Sequence, residues 1–250
     1  MADQLDYKIL GNDLQAVEIN LDANESVRAE PGVLLSKMQG IEMQTNAEGG
    51  IMKGITRMFT GESFFITNFQ NTTAERKNIR FAAPYPGHIL PVDLSQQPGN
   101  VIYCQRESFL CAAGGIEVTV AFTKKLGAGL FGGEGFILQK LAGDGLAFVH
   151  IGGTLIEQEL AAGETLEVDT GCIAAFQEGV TYDIKFVGGF TNVLFGGEGL
   201  FYATLTGPGK VYLQTLPFSR LADRIVSTST LNRASGEGGF GAMKSLFESH

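Results

Sequence analysis

The sequence predicts an all-β protein made of three copies of one unit, followed by a short C-terminal helix. Three observations support this. A glycine–glutamate turn occurs three times, as Thr60-Gly61-Glu62-Ser63, Gly132-Gly133-Glu134-Gly135 and Gly196-Gly197-Glu198-Gly199, with the glutamates 72 and 64 residues apart. Alternating apolar stretches flank each turn at matched distances, the mark of an internal repeat. Glycine is abundant, at 34 of 250 residues, beside 18 Phe and no Trp. That composition suits glycine-punctuated sheets, and an apolar share of 44% excludes disorder. A chain this long buries a core without disulfide or metal support.

Taken in order, the first copy covers about residues 10–85. It opens on the alternating strand Leu14–Leu21 and turns at Asp22–Glu25; strands follow at Ser26–Glu30, Val33–Met38 and from Ile41. The second copy, about 86–152, repeats the pattern with His88–Leu94, a turn at Gln97–Asn100, then Val101–Gln105, Ser108–Ala112 and Ile116–Phe122. The third, about 153–217, runs Thr154–Leu160, Thr165–Asp169, Cys172–Gln177 and Thr181–Val187. Leu21 to Gly40 and Leu160 to Gly179 both span 19 residues, and Leu94 to Gly114 spans 20, so the copies stay in step. After each Gly-Glu turn comes another strand, at Phe64–Phe69, Phe136–Leu141 and Leu200–Leu205. Gly143-Asp144-Gly145 and Gly207-Pro208-Gly209 then supply hairpin chemistry ahead of return strands at Ala147–Ile151 and Lys210–Leu216.

Between the strands and each Gly-Glu turn lies a glycine-rich apolar segment, around Ile51, Leu130 and Val193, read as a short, partly helical crossover. Buried, these segments close the ends of the sandwich; exposed, they form an oligomer or membrane-surface contact, with Leu126–Gly133 behind Lys124 and Lys125 the first candidate. The domain is expected to span residues 1–218. A helical or flexible tail, 219–250, begins with a helix at Arg220–Ser227 capped by Ser219.

The net charge of −9 disfavours broad nucleic-acid binding. The densest cationic cluster, Arg76, Lys77 and Arg80, reads as a solvated loop. Cys104, Cys111 and Cys172 show no C-x-x-C spacing; the first two sit among apolar residues and read as core. No stretch reaches 18 apolar residues, and the N-terminus is neither signal nor transit peptide, so a soluble cytoplasmic protein is the expectation.

The run Phe195-Gly-Gly-Glu-Gly-Leu-Phe-Tyr-Ala-Thr-Leu-Thr-Gly-Pro-Gly-Lys-Val-Tyr-Leu-Gln-Thr-Leu-Pro217 resembles the signature of the altered-inheritance-of-mitochondria, or mitochondrial biogenesis, family. The resemblance extends over about residues 5–220. It implies a β-sandwich similar to the tryptophan RNA-binding attenuation protein, of the double-stranded β-helix type, with three pseudo-symmetric units. It implies no established enzyme activity and no catalytic residue to carry over.

Candidate chemistry is sparse. Glu62, Glu134 and Glu198 would bind a cation or polar ligand if the fold brings them together; as turn residues that accept backbone N–H bonds, they only fix the fold, and that is the favoured reading. His88, His150 and His250 lack local ligand spacing and read as surface or strand-end residues rather than ligands, so no metal and no cofactor are expected. No nucleophile motif or phosphate loop occurs. The favoured function is a non-enzymatic structural or interaction protein that forms homo-oligomers. The alternatives are a small-ligand or metal binder at the Gly-Glu turns and, by fold analogy alone, RNA binding.

Overall fold

In a computed structural model, the structure describes residues 1–47, 65–124, 136–186, 201–222 and 224–226. It is all-β as expected, with nineteen described strands in four antiparallel sheets and one short helical stretch at 218–222 and 224–226. β-Strands covered on one face alternate, as in Ala16–Leu21 and Ser26–Ala29, whereas Phe109–Ala113 and Leu146–Gly152, covered on both, are buried almost throughout.

The units are visible in the pairing. The first contains β2 (Ala16–Leu21), β3 (Ser26–Ala29), β4 (Leu34–Lys37), β5 (Ile41–Ala47), β6 (Phe65–Asn71) and β7 (Lys77–Ala82), preceded by β1 (Asp6–Leu10). The second contains β8 (Gly87–Asp93), β9 (Val101–Gln105), β10 (Phe109–Ala113), β11 (Glu117–Lys124), β12 (Phe136–Ala142) and β13 (Leu146–Gly152). The third contains β14 (Leu155–Leu160), β15 (Thr165–Asp169), β16 (Ile173–Gln177), β17 (Thr181–Phe186), β18 (Phe201–Thr206) and β19 (Gly209–Gln214).

Within every unit the first strand pairs with the sixth and the sixth with the third; the fourth pairs with the fifth and the fifth with the second. A register shift recurs in the third strand of all three, between Leu34 and Ser36, Phe109 and Cys111, and Ile173 and Ala175. A shared bulge at one position is a designed bend repeated with the unit.

The units join through their sheets. β3 of the first pairs with β10 of the second, and β9 of the second with β16 of the third. Each junction merges two three-stranded halves into a six-stranded sheet, β5-β6-β3-β10-β13-β8 and β11-β12-β9-β16-β19-β14. The remaining halves stay apart: β1-β2-β7-β4 is one small sheet and β15-β18-β17 another. A large apolar cluster fills the first and second units and reaches Ala175 and Tyr212 of the third, with fully buried Phe81, Phe109 and Phe148, and a smaller one joins Phe136 of the second unit to Phe176 and the rest of the third.

Two expectations need correction here. Lys77 and Arg80 lie not in a solvated loop but on β7, whose Ile79 and Phe81 are buried while Arg80 turns outward to pair with Glu18. Arg76, just before the strand, does lie outside it and pairs with Asp22 at 2.7 Å. The polar N-terminus also forms a strand, β1, along β2. The helix begins at residue 218, so Ser219 falls inside its first turn rather than capping it. The partly helical crossovers lie outside the described residues. The strands on either side of each pair antiparallel, with Ala47 opposite Phe65, Lys124 opposite Phe136 and Phe186 opposite Phe201, so each connection leaves and re-enters the sheet at one place.

Candidate functional site

Glu62, Glu134 and Glu198 all lie outside the described residues, as do the apolar segments around Ile51, Leu130 and Val193, His250 and the tail beyond 226. Among the described residues, no group of three or more His, Cys, Asp or Glu side chains is gathered as for a metal ion. Cys104 and Cys111 are buried, and burial pushes both thiols well above their usual range, so they pack as small apolar groups.

The chemistry that is described lies at the junctions between units. At the second junction, Gln214 of β19 is buried and fully engaged. Its Oε1 accepts from Gly152 N–H at 2.9 Å, and its Nε2 donates to Gly171 O at 2.9 Å and, at 3.4 Å, to Gln105 Oε1. These bonds tie the second unit to the third. Losing them would orphan two buried backbone groups, each worth about 1–3 kcal/mol.

The strand registers place His150 of β13 at the position equivalent to Gln214, one residue beyond the Val149↔Phe109 and Leu213↔Ile173 pairs. Here the first junction differs. His150 is not the surface or strand-end residue expected: it lies inside β13, which β8 and β10 flank, is 1% exposed, and its Nδ1 has no hydrogen-bond partner. Tyr85 stands edge-on to the ring, with centroids 4.5 Å apart. Gly87 must lack a side chain, because a Cβ there would meet Ile151 O at 2.1 Å and His150 Nε2 at 2.6 Å. Burial pulls the His150 pKa down to about 4; the nearby His88 pushes the same way, and a backbone hydrogen bond at Tyr85 opposes them. The ring is therefore neutral at pH 7. His88, half-buried on β8, donates from Nδ1 to Gly153 O at 2.6 Å.

Beside His150 the two units enclose a cavity of about 420 Å³. Val33, Pro84, Phe109, Leu110 and Phe218 make most of its wall apolar, and Glu30, Gln105, Arg106 and Glu107 bring polar groups to it. Arg106 Nε lies 4.0 Å from Glu30 Oε1. Phe218 comes from the start of the C-terminal helix, which rests on Tyr85 with ring centroids 5.4 Å apart. An apolar hollow with a few polar groups is the general form of a small-molecule site.

The second feature is a pair of sheet edges. Strand β4 ends one small sheet and β15 the other, and among the described residues no strand pairs with either outer edge. The consequence is visible in burial. Leu34 and Leu35 of β4 are 38% and 60% exposed, whereas their counterparts Phe109 and Leu110 are 2% and 1% exposed. β15 is exposed at Thr165 and Glu167, whereas β9, its counterpart, is buried at four of five positions.

The structure thus defines a class of all-β proteins in which one chain carries a triplicated six-strand unit, with β4 and β15, the strands that make the junctions in the other copies, left at sheet ends among the described residues. The chain belongs to the mitochondrial biogenesis AIM24 family, whose model matches residues 7–216. It is similar to an uncharacterized protein of Streptococcus pyogenes serotype M6, with 26% identity over 214 residues, covering 82% of this chain and 83% of the relative. Its fold is similar to that of a crystal structure from Streptococcus pyogenes solved by a structural genomics consortium, with TM-score 0.75 and 23% identity, covering 90% of this chain and all of the other. Among the described residues, no helix is long and apolar enough to cross a membrane.

The sequence offered signals for part of this. The run Ala147-Phe-Val-His-Ile151 has no polar alternation, as befits a strand covered on both faces, and a histidine in such a strand must be buried. The open edges gave no such signal, because alternation marks a strand but not its neighbour.

Proposed function

We propose that this protein is a non-enzymatic structural or interaction protein that assembles into homo-oligomers through its open sheet edges. One observation carries the reading: two unit-to-unit junctions are completed within the chain, and the two halves of a third are left at opposite ends of the series. Unpaired edges with exposed apolar residues are templates for strand addition unless they are blunted. β4 carries Leu34, Leu35 and, just beyond, Met38 in exposed positions. A donor edge and a different acceptor edge on one chain make the contact head-to-tail, giving rings or filaments. Light scattering on the full chain across micromolar concentrations is expected to give a mass that is a multiple of one chain and falls on dilution. A monomer at every concentration sinks the proposal.

A second reading is small-molecule binding at the first junction, supported by the cavity beside His150. It calls for an apolar ligand of modest size with a hydrogen-bond donor for Nδ1. Native mass spectrometry of the purified protein decides it: a retained non-protein mass supports it, and clean apo-protein that gains no mass from an extract of small molecules removes it.

A further inference from the structure

We infer that β15 of one copy lies antiparallel beside β4 of a second copy, with Val168 opposite Ser36, Glu167 opposite Lys37 and Leu166 opposite Met38. This rests on the self-association proposed above and names the surface and its register.

The register follows from the two junctions the chain completes. At the first, Ala29 pairs with Cys111, Arg28 with Ala112 and Val27 with Ala113. At the second, Cys104 pairs with Ala175, Tyr103 with Phe176 and Ile102 with Gln177. The pairings inside the units fix which residues correspond. Cys104 faces Gln139 on the neighbouring strand, three positions before the end of that pairing; Val168 faces Ala203 in the same way. Cys111 faces Phe148 and Ala175 faces Tyr212, each just after the shared bulge, and Ser36 faces Arg80 at that same point. Val168 therefore stands where Ala29 and Cys104 stand, and Ser36 where Cys111 and Ala175 stand.

The chemistry of the two edges matches in that register. The position that holds the stacked pair Tyr103–Phe176, with centroids 5.5 Å apart, holds Glu167 and Lys37 at the open junction. Both are exposed, and residues directly opposite in an antiparallel pair project to one face, so a carboxylate meets an ammonium. In the single chain, Lys37 Nζ donates to Ile41 O at 2.7 Å, which keeps it near the edge. One step along, Leu166 meets the exposed Met38. Arg80, beside Ser36, enters the contact already paired with Glu18. The occupant fitted by both edges at once is another copy of this chain, because each end presents the missing half of the other.

The experiment uses two separately purified full-length variants, Lys37→Cys and Glu167→Cys, mixed under mild oxidation. These exposed sites leave the core intact, and the wild-type chain controls for its own cysteines. A cross-linked dimer is expected in the mixture and in neither variant alone. Lys37→Glu or Glu167→Lys is expected to raise the concentration for half-association by roughly threefold to tenfold, and the double reversal to restore it. If the protein self-associates while the mixture does not cross-link and the reversals change nothing, the register is overturned and self-association stands. If the chain carrying both cysteines bridges internally at high dilution, the edges close on themselves and the inference falls. A monomer throughout removes both proposals.

Discussion

Replacing Phe148 by alanine lowers the free energy of unfolding by about 3–5 kcal/mol, the usual cost of emptying a buried phenylalanine site. Phe148 is fully buried on β13, between β10 and β8, and it also meets Tyr7 of β1 edge-to-face at 5.0 Å. One side chain thus holds the second unit's sheet against the first unit's outer sheet. The cavity left by alanine cannot be filled from β13, whose register is fixed on both sides by ladders to β8 and β10. In a chain of this size the loss corresponds to a fall in Tm of about 10 °C. The leucine variant, which keeps most of the volume, is expected to lose much less. Chemical denaturation read by circular dichroism checks this, and a loss under about 1 kcal/mol for the alanine variant contradicts the packing described.

His150→Gln removes a pH dependence. In the folded protein, His150 titrates at about 4, below its ordinary value of 6.5. Between those values the unfolded chain binds a proton that the folded chain refuses, so the depressed pKa weakens the fold as pH falls. Stability is full above about pH 6.5 and declines as pH drops towards 4. The decline amounts to at most about 3.5 kcal/mol, since a tenfold difference in proton affinity between folded and unfolded chain is worth about 1.4 kcal/mol. Below about 4 this contribution is constant, and carboxylates dominate. Glutamine is the residue the third unit carries at the equivalent position, where Gln214 is fully bonded. The variant is expected to show a flat profile from about pH 6.5 to about pH 5, measured by denaturant midpoints. An unchanged slope places the titration elsewhere.

The strands were largely legible because period-2 alternation and glycine punctuation are local. The equivalence of Val101–Gln105 with Thr165–Asp169 followed from matched spacing alone, and both are strands with those bounds. β7 was missed because its cations dominate the reading: in Lys77-Asn78-Ile79-Arg80-Phe81-Ala82 the apolar alternation rests on two residues. β1 was missed because it is short and exposed, and β2 supplies its order by pairing along its whole length. The site was less legible. The recurring glutamates counted the units correctly, but the junction chemistry depends on Glu30, Gln105, His150 and Gln214; His150 and Gln214 share the 64-residue repeat interval of Glu134 and Glu198, yet their residue types differ and spacing alone does not show burial at a junction. The open third junction is a property of which sheets merge, and that emerges only when all three copies are laid side by side.

The self-association reading also explains a difference among equivalent residues. Phe148 and Tyr212 are buried where Arg80 is partly exposed. The second and third units are each preceded by a unit that covers this position, and the first is not. A polar pair with Glu18 suits a face that meets water before assembly.

Amide hydrogen exchange along β4 and β15, compared between dilute and concentrated protein, tests the central claim most directly. The account predicts that Leu34–Lys37 and Thr165–Asp169 gain protection together as concentration rises, approaching that of β3 and β10, while the completed junctions stay unchanged. Rapid exchange at both edges at every concentration, or protection of only one of them, would contradict it.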